Sequence, residues 1–277
     1  MAILITHGYL LTGTGSNLYV NNLVRELVKK GEDVILVCQD FDPIEIDYIN
    51  EVYNFNKEND SYKLVEQKES PYSGVCRCFV PNLNGFLPVY VYDHYEGFEV
   101  KEFNSCSDLE VQSYIEQNHK AMDLILKNFD VEVINTNHLV MFPYVAKLLK
   151  ADHVFKFVIT VHGSALNFTV KKDKRFEGFA IESLKVVDEI VVDSLHADEE
   201  MKEFLLDVNM ESLIEKMEII PAGVDVGSFE VASSSRAEMK KNFIESIEIN
   251  VAKSEGRSSS STQEILTADI GATTIDQ

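Results

Sequence analysis

Positive charge is scarce in this chain: 25 Lys and Arg stand against 46 Asp and Glu, a net charge of −21 at pH 7. A surface that acidic repels polyanions over most of its area, which argues against a broad nucleic-acid or anionic-membrane interface. Cysteine is scarce as well. Cys38, Cys76, Cys78 and Cys106 are too few and too scattered for a disulfide framework in 277 residues, so the sequence predicts a reducing, cytoplasmic setting. No apolar run reaches the roughly 18 residues of a membrane span, so no transmembrane segment is expected. The opening Met1-Ala-Ile-Leu-Ile-Thr-His-Gly8 lacks the basic stretch of a secretory leader. What is present is apolar mass: 45% hydrophobic residues, enough to bury a sizeable core.

Short apolar runs alternate with segments of helical period, the pattern of a parallel sheet covered by helices, so the expected fold class is α/β, Rossmann-like, with helices on both faces. Ile3–Thr6 reads as a buried first strand. Residues 17–30 place Leu18, Val20, Leu23, Val24, Leu27 and Val28 at helical spacing and stop at Lys29-Lys30-Gly31, before a second strand at 34–38. From 41 to 97 the pattern loosens into an insertion-rich stretch with strands near 75–80 and 87–92. Regularity resumes with helices at 108–128, 144–149, 176–187 and 197–208, and with strands at 131–136, 155–161, 189–193 and 217–220. After Phe229 the chain turns small and polar; a helix over 236–252 has no strand to follow it, and the last stretch reads as disordered.

In an open parallel sheet, ligands bind beyond the carboxyl ends of the strands, which is where chemistry is sought. Three such positions are polar. After the first strand come Thr6-His7-Gly8 and the loop Gly13-Thr-Gly-Ser-Asn17, whose glycines let backbone N–H groups approach a ligand at a helix start; the same loop also reads as a tight turn capped by Ser16 or Asn17. After a middle strand comes Asn135-Thr-Asn-His138, and after the next His162-Gly-Ser-Ala-Leu-Asn167. His162 follows an apolar run and precedes a glycine, so its ring stands at a strand mouth. Asn137-His138 reads either as a ligand contact or as a helix cap, and His7 as structural.

Other signals weaken on inspection. Leu18 stands where a dinucleotide fingerprint needs a third Gly or Ala. Cys76-x-Cys78 has no second pair at zinc spacing and reads as two side chains on one sheet face. Ser164 and Ser194 lack a Gly-x-Ser-x-Gly elbow. Lys171-Lys-Asp-Lys-Arg175 is a local basic spot in an acidic chain, read as a solvated loop or as an anion contact.

Three segments taken together, the glycine loop at 13–17, Thr160-Val-His-Gly-Ser164, and Val187-Asp-Glu-Ile-Val-Val-Asp-Ser194 followed by Ile219-Ile-Pro-Ala-Gly-Val-Asp225, resemble the acceptor-side domain of family 4 glycosyltransferases of GT-B fold. The resemblance covers about residues 1–229. It implies a retaining enzyme that transfers a sugar from a nucleotide-sugar to a sugar or glycan acceptor, with no metal and no other cofactor. Carried over, Gly13, Gly15 and Ser16 would bind the donor diphosphate, and His162 would be the catalytic contact to the sugar. Asn137, His138, Lys171, Lys172 and Arg175 would face the acceptor. Ala165 stands where many relatives carry an acid. The resemblance also implies a missing C-terminal donor-binding domain, with residues 1–229 as the first domain and 230–277 as a linker or insertion. The alternative is a non-catalytic binding module or one half of a split enzyme.

Overall fold

Each of the first two strands is apolar at every or nearly every position because both faces of the sheet are covered. In β1 (Ala2–Thr6), Leu4 packs into one core cluster and Ile5 into the other; β2 (Val34–Val37) sends Ile35 and Val37 one way and Val34 and Leu36 the other. Between them lies α1 (Gly15–Lys29), whose Val20, Val24 and Val28 fall on one helical face and fill the second cluster. The computed structural model describes residues Met1–Gly223, which form one compact unit, and only isolated positions in the second unit, Val224–Gln277. The expected boundary at 229, Asp225 and the disordered end lie outside the described residues, as does the expected helix over 236–252 apart from four scattered positions.

The chain continues through β3 (Ile49–Phe55), β4 (Tyr62–Gln67), β5 (Cys76–Val80), β6 (Phe86–Val89) and β7 (Glu99–Glu102). The second half holds α2 (Asp108–Asn128), β8 (Val131–Asn137), α3 (Phe142–Leu149), β9 (Lys156–Val161), α4 (Gly163–Phe168), α5 (Lys174–Leu184), β10 (Glu189–Val192), α6 (Leu195–Asp207) and β11 (Met217–Ile219). Nine strands form one sheet in the order β11-β10-β9-β8-β1-β2-β5-β3-β4, parallel throughout except where β4 pairs antiparallel with β3. Strands β6 and β7 pair separately. The α/β, Rossmann-like expectation is met. Among the described residues no helix is long and apolar enough to cross a membrane.

From β1 the chain builds outward through β2 to one side, then returns through β8 to the other. This reversal leaves a crevice beyond the carboxyl ends of β1 and β8, the place where such sheets hold ligands. The stretch from 41 to 97 is more regular than its composition predicts, because β3 and β4 extend the main sheet. β4 escapes sequence reading because it is an edge strand, exposed along nearly its whole length, and so carries no apolar alternation.

Candidate functional site

A cleft of about 570 Å³ opens at this crevice. The α1 start supplies Thr14, Gly15, Ser16 and Tyr19; the segment after β6 supplies Tyr90, Tyr92, Asp93 and Tyr95; the ends of β8, β9 and β10 supply His138, His162 with Ser164, and Asp193. Tyr9, just after β1, forms part of the wall. Among the described residues, the charged side chains of the lining are Asp93 and Asp193, with no Lys or Arg.

His162 is oriented from behind. Asn137, fully buried at the end of β8, donates from Nδ2 to the Thr6 carbonyl at 3.1 Å, so its Oδ1 is left to accept. His162 Nε2 lies 3.0 Å from that oxygen and must therefore carry a proton. Nδ1 is the ring atom left for chemistry. It lies 3.8 Å from Asp193 Oδ2, close enough for electrostatic coupling and too far for a direct hydrogen bond. Interaction with the His162 ring holds the Asp193 carboxyl below its usual pKa. Tyr19 packs edge-on against His162 at 5.1 Å between centroids; burial and the Asp193 charge push its hydroxyl pKa up.

The same device recurs one strand away. Asn17 Nδ2 donates to the Thr12 carbonyl at 2.6 Å, and His7 Nε2 lies 2.9 Å from Asn17 Oδ1. Burial lowers the His7 pKa to about 4, so its ring is neutral at neutral pH. His7 is structural, as its sequence position suggested: it ties β1 to the first turn of α1. Asn17 is thereby engaged with the chain before the helix, and Thr14, the residue at the N-cap position, makes no side-chain cap. The first turn of α1 also contains no acidic residue, so the helix start that lines the cleft at Thr14, Gly15 and Ser16 has neither a capping side chain nor a carboxylate to neutralise the dipole.

His138 is the anomaly of the site. Only 2% exposed, it lines the cleft with both ring nitrogens unpartnered. Burial, followed by the neighbouring His162 and His7, holds its pKa well below the ordinary value. Its ring centroid lies 4.5 Å from that of Tyr90, 4.9 Å from that of His162 and 5.8 Å from that of Tyr9. Its backbone is left-handed, with φ 71°, and Met141 three residues on has φ 70°. Each such conformation costs about 1–3 kcal/mol, and a buried unsatisfied polar group costs a similar amount. Strain and an orphan imidazole in one turn are features that folding alone would remove.

Of the residues singled out from sequence, Gly15, Ser16, His138 and His162 meet at the cleft, and Asn137 positions His162. Gly13, with φ 102°, shapes the preceding turn. Lys171, Lys172 and Arg175 are not part of the lining. Arg175 is clamped between Asp173 and Asp108, both at 2.7 Å, and donates to the Cys106 carbonyl at 2.9 Å, so it staples α5 to the start of α2. Lys172 lies over the Phe168 ring and Lys171 faces Glu203 at 3.8 Å. Sequence reasoning missed Asp193 and the tyrosines as site residues. Asp193 could have been found by the rule that found His162, being the first polar residue beyond an apolar strand. The tyrosines come from segments up to 86 positions apart and carry no shared motif.

No family model matches the chain, and no curated protein sequence matches it. A solved structure named as a putative cell surface hydrolase, from Lactobacillus plantarum WCFS1, aligns with 87% of this chain and 96% of its own at 8% identity and a TM-score of 0.36. A likeness that distant carries no activity across. The glycosyltransferase expectation is overturned, and with it the family 4 and GT-B assignments: no family model matches the chain, a glycosyltransferase model included, and no curated sequence does. The physical reason lies in the motifs themselves. Ser194 is the N-cap of α6, accepting from Ala197 N at 3.2 Å, His162-Gly163 is a strand end running into a helix, and the glycine loop is a helix start. Any parallel α/β sheet generates such segments at such intervals.

Proposed function

We propose that this domain binds a small organic molecule in the tyrosine-lined cleft and exchanges a proton with it at His162 Nδ1, with Asp193 stabilising the protonated ring. The observation that supports the reading most directly is the Asn137 bridge, which commits Nε2 to the protein interior and leaves one ring nitrogen, beside a carboxylate, at the cleft. A positioned acid–base group of this kind contributes on the order of 10²–10⁴-fold to a reaction. Ser164 also lines the cleft, but among the described hydrogen bonds none joins it to His162, whose side-chain bond goes to Asn137. The uncapped start of α1 favours an oxygen-bearing part of the ligand. The reading calls on no metal or cofactor; among the described residues no three His, Cys, Asp or Glu side chains are arranged to hold a metal ion.

The test is long-range proton–nitrogen spectroscopy of the labelled protein with a panel of small organic alcohols, acids and amines. The expected result is an Nε2–H tautomer for His162 and ligand-induced shifts at Nδ1, with the tautomer becoming mixed in Asn137→Ala. An Nδ1–H tautomer in the free protein, or ligands that leave the His162 ring unperturbed, would overturn the proposal.

A further inference from the structure

The charge of the cleft narrows its ligand. Around the corner where β8, β9 and β10 end, the aromatic rings of Tyr9, Tyr19 and Tyr90 surround His138 and His162, and the carboxylate is Asp193. Tyr95 lies parallel to Tyr9 at 6.0 Å between centroids and extends the aromatic wall outward to Asp93. Burial fixes the charge of several groups here: His7 and His138 are held neutral, while the hydroxyls of Tyr9, Tyr19, Tyr90 and Tyr95 are held protonated. At neutral pH the lining thus presents aromatic faces, the neutral His138 ring and two carboxylates, with no lysine or arginine among its described residues.

We infer that the cleft takes an organic ammonium ion, a ligand whose protonated amine is held among the tyrosine faces in the corner formed by His138, His162 and Asp193. The aromatic quadrupole and the Asp193 carboxylate attract the same sign of charge, so the two terms reinforce each other. His138 supplies the third element. A neutral imidazole has one lone pair and one N–H, and here neither has a partner in the protein, so the lone pair is free to accept from an ammonium N–H without a cationic ring to repel it. An anionic ligand is disfavoured by Asp93 and Asp193, and its attraction to α1 is confined to the helix's first turn. A metal ion is disfavoured because no three ligating side chains converge among the described residues.

The inference rests on the cleft being the ligand site proposed above, and the experiment separates the two. Benzylammonium, benzyl alcohol and benzoate share a ring and differ in charge, so each is titrated into the labelled protein while the amide shifts of Gly15, Ser16, His138 and Asp193 are followed. Benzylammonium is expected to bind about tenfold more tightly than benzyl alcohol and to lose that preference in Asp193→Asn. The Asp93→Asn variant, altered at an exposed position, is expected to lose a smaller part of it and controls for any folding defect in the first variant. Benzoate binding as tightly as benzylammonium, with shifts at the same amides, overturns the ammonium inference and leaves the cleft as a ligand site. Shifts from none of the three overturn both.

Discussion

The strands on the two sides of β1 end differently. Beyond β2 and β5 the chain closes on itself: Gln39 Nε2 donates to the Pro81 carbonyl at 3.0 Å, Cys38 N donates to the Phe79 carbonyl, and the Cys38 and Cys78 sulfurs touch at 3.5 Å. Beyond β8, β9 and β10 the chain stays open, and His138, His162 and Asp193 gather on a cleft. Both sides contain polar groups, so polarity does not distinguish them. The difference is that the closed side pairs the Gln39 side chain with its own backbone, whereas the open side leaves the His138 ring without a partner. Single buried atoms lack partners elsewhere, Tyr48 Oη on the closed side among them, but His138 lacks one at both ring nitrogens and does so on a cleft wall, where a ligand can supply it.

Acid should break this comparison most strongly. The His7 pKa falls from 6.5 to about 4 on folding, so between these values the unfolded chain holds a proton that the folded chain refuses. Its contribution is fully present above about pH 6.5 and lost as pH falls towards 4, a change of roughly 3 kcal/mol from this one ring. His138 is shifted in the same direction and steepens the loss. The closed side offers thiols, which do not ionise in this window; burial and the contact with Cys38 push the Cys76 and Cys78 pKa values further up. Urea unfolding at stepped pH should show this slope between pH 6.5 and 4, reduced in His7→Gln, whose amide can still donate to Asn17. An unchanged slope in that variant would mean that His7 is not the titrating group.

The closed side is broken by volume instead. Gly74 enters β5 against the end of α1, and a Cβ there would stand 2.3 Å from the Glu32 carbonyl oxygen and 2.7 Å from that of Val28. Both obstacles are backbone, so no side chain can rotate away. Gly74→Ala should cost about 2 kcal/mol in chemical denaturation while leaving the cleft's ligand shifts in place. A wild-type midpoint would show that the turn has slack.

Helix α2 was legible to the residue because its own ends are local chemistry: Ser107 accepts from Glu110 N, and the Glu110 side chain accepts from Ser107 N, a capping box written in four adjacent residues. The strand ends bearing His138 and His162 were legible for a related reason, an apolar run followed by a polar group. The Asn137 bridge was not. It joins residues 25 positions apart, and its other bond reaches Thr6 across 131. Nor was the fate of Arg175. A basic cluster looks free in sequence, but in a chain with nearly twice as many acids as bases it is soon paired. The family resemblance failed at the same level, because short segments that a parallel sheet produces anyway cannot report what lies across the cleft from them.

The smallest expected effect is the most discriminating. His138→Asn keeps a residue that tolerates the left-handed backbone and keeps one donor and one acceptor, but shortens the side chain. If His138 were core filling, removing its ring would open a cavity against Tyr90 and cost about 2–3 kcal/mol. The wild-type ring, however, already bears the cost of two unpartnered nitrogens, and it sits where the cleft can admit water to a shorter amide. The two terms oppose each other, so the unfolding free energy should move by less than about 1 kcal/mol. Benzylammonium affinity should nonetheless fall at least about fivefold, because the lone pair that met the ligand has been withdrawn. Stability and binding changing together would return His138 to the core; binding changing alone ties the unpartnered imidazole to the open side of the sheet.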